Sequence, residues 1–282
     1  MATNMDAPPP PSPPLPVLYR NVTALSRERH QGWYIDGDQG YSFAQATNSL
    51  YLAAGEFAQA AREYAIVFAR DGSGAVIPAI LLGLASDQNL MIDADGRWLA
   101  RYVPAYVRRY PFMLATTDAA SNQFTVCIDE TYSGFNTARE GELMIGDDGV
   151  QCPLLAKSVE FLQEFHQHSE LTVKFCDVLA KSALLDSFQA NVSLNSGPSF
   201  ALTGLFCVTQ ARLQQLPAEQ LKQFLDLGYL DLIYLHMHSL TNMERLIDLA
   251  QPAPDKPVRA RKRAAAKDTD AVDVHGSQSS LA

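Results

Sequence analysis

Several features that would announce a function are scarce or missing in this chain. Its four cysteines, Cys127, Cys152, Cys176 and Cys207, lie too far apart for a CxxC pair and are too few for an extracellular disulfide framework, so reduced thiols are expected. No run approaches the ~18 apolar residues that a membrane-spanning helix requires. The N-terminal stretch MATNMDAPPPPSPPLP has neither the basic start nor the apolar core of a secretory signal. The expectation is a chain with no transmembrane segment, placed in the cytoplasm, with the cell surface reached by a non-Sec route as the alternative. There is no GxSxG elbow, Walker loop or GxGxxG fingerprint, which removes the usual warrant for a hydrolase, a nucleotide-binding or a dinucleotide-binding reading. Positive charge is short as well. With 22 Lys and Arg against 31 Asp and Glu, the net charge of −9 argues against nucleic acid as a partner, because phosphate neutralisation needs a basic surplus.

What is present is a chain of 282 residues, 47% apolar, long enough to bury a sizeable core in one domain or two closely joined lobes. Met1 to Pro16 is a proline-rich arm expected to be extended or disordered, and the basic, polar tail 251–282 is expected to be disordered too. Between them, 17–150 reads as β-rich. Short apolar or β-branched runs at Tyr64 to Arg70, Val76 to Leu84, Leu90 to Asp93 and Phe124 to Asp129 are separated by turn residues, which predicts an antiparallel meander or a small barrel-like sheet. Ala53 to Arg62 predicts a short helix, and Pro104 opens one helical turn that Pro111 closes.

The region 151–250 reads as mainly helical. Leu155, Val159, Phe161, Leu162, Phe165, Val173 and Cys176 form one apolar face from Leu154 to Leu179, with a break expected near His168 and Ser169. Phe188 to Leu194 and Phe200 to Val208 read as two strands joined by Asn195-Ser196-Gly197-Pro198. Pro217 and Gly228 bracket a helix. Tyr229 to Leu249 reads as one last helix with Ile233, Leu240, Met243 and Ile247 on its apolar stripe. The fold class expected is α+β, with the β-rich first half packed against amphipathic helices of the second.

Metal chemistry finds little support. If Gly96 is the sixth residue of a calcium loop, Asp93 and Asp95 fall on ligand positions, but Met91 and Tyr102 fall where the first and last oxygen donors belong. A tight turn at Asp95-Gly96 is the simpler reading. His236 and His238 are two apart on a helix, roughly 200° around its axis, so they do not face one ion. His166 and His168 share that spacing. No metal, no cofactor and no catalytic residue is therefore assigned.

The strongest recognition candidate is the set Arg97, Trp98, Arg101, Tyr102, Tyr106, Arg108, Arg109 and Tyr110. Guanidinium groups grip carboxylates or phosphates in a fork, and aromatic rings offer flat surfaces to a peptide or sugar. The alternative is internal pairing of these arginines with Asp71, Asp93, Asp129 or Glu130.

The segment that carries this set, Asn89 to Phe112 (NLMIDADGRWLARYVPAYVRRYPF), resembles the signature of the SapC family of bacterial proteins, named from surface-layer (S-layer) gene loci and unrelated to the peptide-transporter permease of the same short name. YAIVFARDG, VIPAILLGL, FTVCIDE, LLAKSVEFLQEF and the run from Leu202 to Leu249 extend the likeness over roughly Val17 to Leu249. The resemblance brings no catalytic residues. It implies an association with S-layer or outer-membrane gene neighbourhoods; joined to an Arg/Tyr/Trp-rich segment without a catalytic constellation, the expectation is an accessory protein of such a system that binds a protein or peptide partner without catalysis. An enzyme acting on a peptide or glycan, through Asp93, Asp129 or Glu130 converging with Arg97 or Arg109, is the alternative, and a structural surface-layer component is a third. Oligomeric state is left open.

Overall fold

The computed structural model describes residues 15–118, 123–146, 152–194 and 197–251, all within one compact unit, Met1–Gln251. The expectations for the proline-rich arm and the basic tail fall almost wholly outside these residues, as does the middle of the Asn195 to Pro198 turn.

In chain order, β1 (Val22–Ala24), α1 (Arg27–His30), β2 (Tyr34–Ile35), β3 (Ser49–Tyr51), α2 (Phe57–Ala60), β4 (Ile66–Arg70) and β5 (Val76–Leu81) precede the signature segment. That segment holds α3 (Ala105–Arg108) and leads into β6 (Phe112–Asp118), β7 (Gln123–Asp129), β8 (Phe135–Asn136) and β9 (Glu142–Leu143). The second half comprises α4 (Pro153–Lys181), β10 (Leu185–Ser193), β11 (Ser199–Val208), α5 (Gln210–Gln214), α6 (Ala218–Asp226), α7 (Tyr229–Ser239) and α8 (Asn242–Ala250).

The strands are antiparallel and the class is α+β, as expected. Among the described residues they fall into three sheets and not a single one, ordered β1-β7-β6, β8-β2-β9 and β10-β11-β4-β5-β3. The largest draws strands from both halves. The β10–β11 hairpin docks on β4 through a single paired register, Phe206 opposite Phe68. Leu90 to Asp93, read as a strand, contributes only an isolated bridge between Ile92 and Trp98. Its ladder has no room to grow, because the chain reverses at once through Asp93-Ala94-Asp95-Gly96, where Gly96 takes φ +77°.

The helix α4 is the spine. It runs unbroken for 29 residues, about 43 Å at the usual rise. Leu155 and Leu162 bury into a smaller core with Ile35, Phe112, Ile128 and Met144. Phe165, Phe175, Cys176 and Leu179 enter the larger core with Phe57, Phe68, Ile80 and Leu82. The helix continues through the expected break with its hydroxyls bonded back along it, Ser169 Oγ to Phe165 O at 2.9 Å and Thr172 Oγ1 to His168 O at 2.6 Å, and with Phe165, Phe175 and Cys176 buried on either side. Val173, placed by pattern on the apolar face, is 58% exposed, and Thr172 is buried instead. A partner explains the exchange: Ala54 N donates to Thr172 Oγ1 at 2.8 Å.

Pro217 and Gly228 bracket α6 as expected, Gly228 at φ +72°. The last helix, by contrast, is two. Thr241 Oγ1 donates to His238 O at 2.9 Å, and Asn242 Nδ2 donates to Ala61 O and Tyr64 O at 2.8 and 3.0 Å, so the axis breaks where Asn242 ties it to the chain just after α2.

Candidate functional site

The signature segment begins at an exposed turn. Asp93 Oδ1 accepts from the amides of Asp95 and Arg97, each at 2.9 Å, and Arg97 forks onto Asp93 Oδ2 at 2.9 Å and Asp95 Oδ2 at 2.8 Å. Hydrogen bonds from the Arg97 backbone hold the Asp93 carboxyl below its ordinary range, against a small opposing effect of burial. Arg97 is thus spent on its own turn. Trp98 follows as a strut, its indole N–H donating to Tyr64 Oη at 2.7 Å, while the Tyr64 hydroxyl bonds Tyr102 O.

Glu56 fixes the centre. Nearly buried, it accepts from Tyr102 Oη at 2.7 Å, Ala105 N at 2.6 Å and Ala53 N at 3.2 Å. One carboxylate therefore orients Tyr102 and starts α3, which carries Tyr106, Arg108 and, just beyond, Arg109. Burial and the Glu56 charge both push the Tyr102 phenol upward, so this ring stays a neutral donor. Glu56→Gln keeps the volume but removes the charged acceptor, and is expected to lower stability by about 1–2 kcal/mol by denaturant melt.

From here the segment faces several clefts. The first, of about 350 Å³, is lined by Gln59, Arg62, Glu63, Arg101, Tyr102 and Arg245. Glu63 already neutralises part of it, pairing with Arg245 at 2.9 Å and accepting from Arg101 N at 2.8 Å. Tyr102, which lines it, also lies 5.7 Å by its ring centroid from the Arg108 guanidinium. A second cleft, of about 280 Å³, is lined by Arg108, Arg109, Leu154, Lys157, Ser158 and Phe161. Arg108 also borders a third with Tyr41, Phe43, Tyr110 and Tyr132. A fourth shares Phe43, Tyr110 and Tyr132 and adds Arg20. Phe43 and Tyr110 stack there, centroids 4.2 Å apart.

Arg109 is held differently from its neighbours. Its guanidinium lies 4.0 Å from the centroid of Tyr106, 4.9 Å from Phe165 and 5.5 Å from Tyr19, and its buried Nε has no hydrogen-bond partner. Tyr106 is buried, its phenol pushed upward by that burial with Arg109 pulling the other way. Its hydroxyl reaches Val17 O at 3.2 Å.

The eight residues singled out by sequence are therefore contiguous in space only in part. Arg101, Tyr102, Arg108, Arg109 and Tyr110 line the clefts; Trp98 and Tyr106 brace them, and Arg97 holds only its own turn. Internal pairing, the alternative reading, is realised for Arg97 with Asp93 alone. Asp71 binds its own turn through Ser73 and Ala75. Asp129 caps backbone amides, and Glu130 pairs with Arg29 at 2.8 Å and His30 at 3.1 Å. The enzyme reading asked for a cleft in which Asp93, Asp129 or Glu130 converges with Arg97 or Arg109; Asp93 meets Arg97 on an exposed turn outside these clefts, and neither Asp129 nor Glu130 lines one of them. Arg62, Lys157, Ser158 and Arg245 were missed, because on the polar faces of helices nothing in one dimension separates a cleft-lining cation from a solvated one.

The same order of elements answers to a known protein family. The sequence profile of the SapC family matches residues 25–246. The chain belongs to the SapC family. No curated protein and no solved structure matches it. Among the described residues no helix is long and apolar enough to cross a membrane.

Proposed function

We propose that this SapC-family chain is a non-catalytic binding protein whose partner is a protein or peptide, held at the clefts that the signature segment borders. One observation carries the reading: Arg101, Tyr102, Arg108, Arg109 and Tyr110 all open onto clefts, three of which are joined through Arg108 and through Phe43, Tyr110 and Tyr132, so a bound chain finds cationic and aromatic contacts side by side. Rigidity supports it as well. Glu56, Tyr64 and the three rings around Arg109 hold these groups in place before a partner arrives, which lowers the entropic cost of binding. The setting we propose is an S-layer or outer-membrane-associated system, a reading supported only by the association that the family's name carries.

The test is capture of partners from the native bacterial host by the immobilised full chain, followed by mass spectrometry. A specific protein is expected to be recovered with wild type and to fall at least tenfold with Arg108→Glu. Arg97→Gln, outside the clefts, is expected to recover it undiminished. Recovery of no specific protein, or turnover of a small molecule by the purified chain, would sink the reading.

A further inference from the structure

Of the clefts, the one between α3 and the first two turns of α4 has an unmatched charge. Arg108, Arg109 and Lys157 line it, and among the described residues none of the three makes an ion pair. Arg108 uses Nε on Val103 O at 2.9 Å and lies 4.8 Å from the centroid of Phe161, which aims its guanidinium rather than neutralising it. Arg109 is fixed by its three rings and keeps a buried Nε without a partner. Gathering like charges opposes folding unless something of opposite sign joins them.

Among the described residues no carboxylate lines this cleft. Glu142, which bonds a lining residue, is engaged with the start of α4, accepting from Leu154 N at 3.3 Å. The next amides are taken as well, Leu155 N by Cys152 Sγ at 3.3 Å and Ala156 N by Cys152 O at 3.0 Å. An anion here is therefore held by side chains, not by the open end of a helix. The cleft lined by Arg62, Arg101 and Arg245 differs in this respect, since Glu63 already sits among its arginines.

We infer that the Arg108–Arg109–Lys157 cleft is an anion-binding site that takes an oxyanion group, a carboxylate or a phosphate, with Arg109 as its anchor. The inference rests on the reading of this face as a binding surface and names the chemistry its partner presents. Arg109 is the anchor because its fork is pre-oriented by the rings, so little freedom is lost when it grips two oxygens. Lys157 adds a movable point charge from the opposite wall.

The test is calorimetric titration of the full chain, at low ionic strength, with inorganic phosphate and separately with a hexaglutamate peptide. One probe is expected to bind with one-to-one stoichiometry, and Kd is expected to rise tenfold or more in both Arg109→Gln and Lys157→Gln while Arg97→Gln leaves it unchanged. Binding of phosphate alone assigns a phosphoryl group, and binding of the peptide alone assigns carboxylates. If Arg109→Gln does not fold, the exposed Lys157→Gln decides. Absence of saturable binding of either probe, or equal weakening by Arg97→Gln, overturns the inference. Undiminished capture of a host partner by Lys157→Gln and Arg109→Gln overturns it too and leaves the binding function standing, whereas anion binding with no captured partner does the reverse.

Discussion

His236→Phe is expected to lower the unfolding free energy by about 3–5 kcal/mol, because two buried backbone groups lose their only bridge. His236 is fully buried. Val208 N donates to its Nε2 at 2.9 Å, and its Nδ1–H donates to Ile66 O at 2.8 Å. Val208 lies on β11 and Ile66 on β4, the two strands that share a single paired register, so the imidazole stands in for ladder bonds where the strands part. Ser239, one turn along α7, accepts from Ile66 N at 2.9 Å and completes the clamp. Phenylalanine fills the space and restores neither bond. A denaturant melt of the variant against wild type measures the difference, and a loss under 1 kcal/mol would show that the strands close on each other unaided.

The same residue makes the fold acid-sensitive. Burial pushes the His236 imidazole down from its ordinary 6.5 to about 4, only partly offset by the bond to Ile66 O. The unfolded chain then takes up a proton near 6.5 while the folded chain resists until about 4, so stability falls as pH drops through that window, by about 3 kcal/mol in all, and this contribution is flat above and below it. Melting temperatures from pH 7.5 to 4.5 should decline in wild type and decline less in His236→Phe.

Asp129→Ala is expected to be comparably damaging, at about 3–5 kcal/mol, for the complementary reason that it removes an acceptor from several donors at once. The buried carboxylate accepts from Arg20 N at 2.7 Å, Asn21 N at 3.1 Å, Thr131 N at 3.0 Å and Thr131 Oγ1 at 2.7 Å. It thereby fixes the entry to β1 and the exit from β7 in one place. Burial opposes its ionisation, but the hydrogen bonds from Thr131, Arg20 and Asn21 outweigh that and hold the carboxyl below its ordinary range. A depressed carboxyl stabilises the fold above the pKa of the unfolded chain, and this support is lost as pH falls through the folded value. The acid limb it causes therefore lies below that of His236. Asp129→Asn, which keeps one acceptor oxygen, should recover part of the loss by the same melt; full recovery would show that charge plays no part.

The local, periodic features were legible in the sequence. The turn at Asp95-Gly96 depends on one residue that accepts positive φ, the α6 boundaries depend on Pro217 and Gly228, and the apolar repeat announced α4, although not that it runs unbroken past His168 and Ser169. The family was legible for the same reason, since the signature is contiguous. The arginines and tyrosines within it were identifiable as a set, although not which of them line a cleft.

Tertiary structure decided what depends on partners distant in the chain. Thr172 is buried and Val173 exposed because Ala54 needs an acceptor, a demand 118 residues away that helical periodicity does not contain. The two halves share one sheet because His236 and Ser239 satisfy Ile66 across about 170 residues. Arg97 is spent on Asp93 and Asp95 while Arg109 keeps an unpartnered Nε, although both lie in the same segment. A sequence fixes which side chains carry charge and how they repeat along the chain; which charges are neutralised is a matter of distances between segments, and those exist only after the chain has folded.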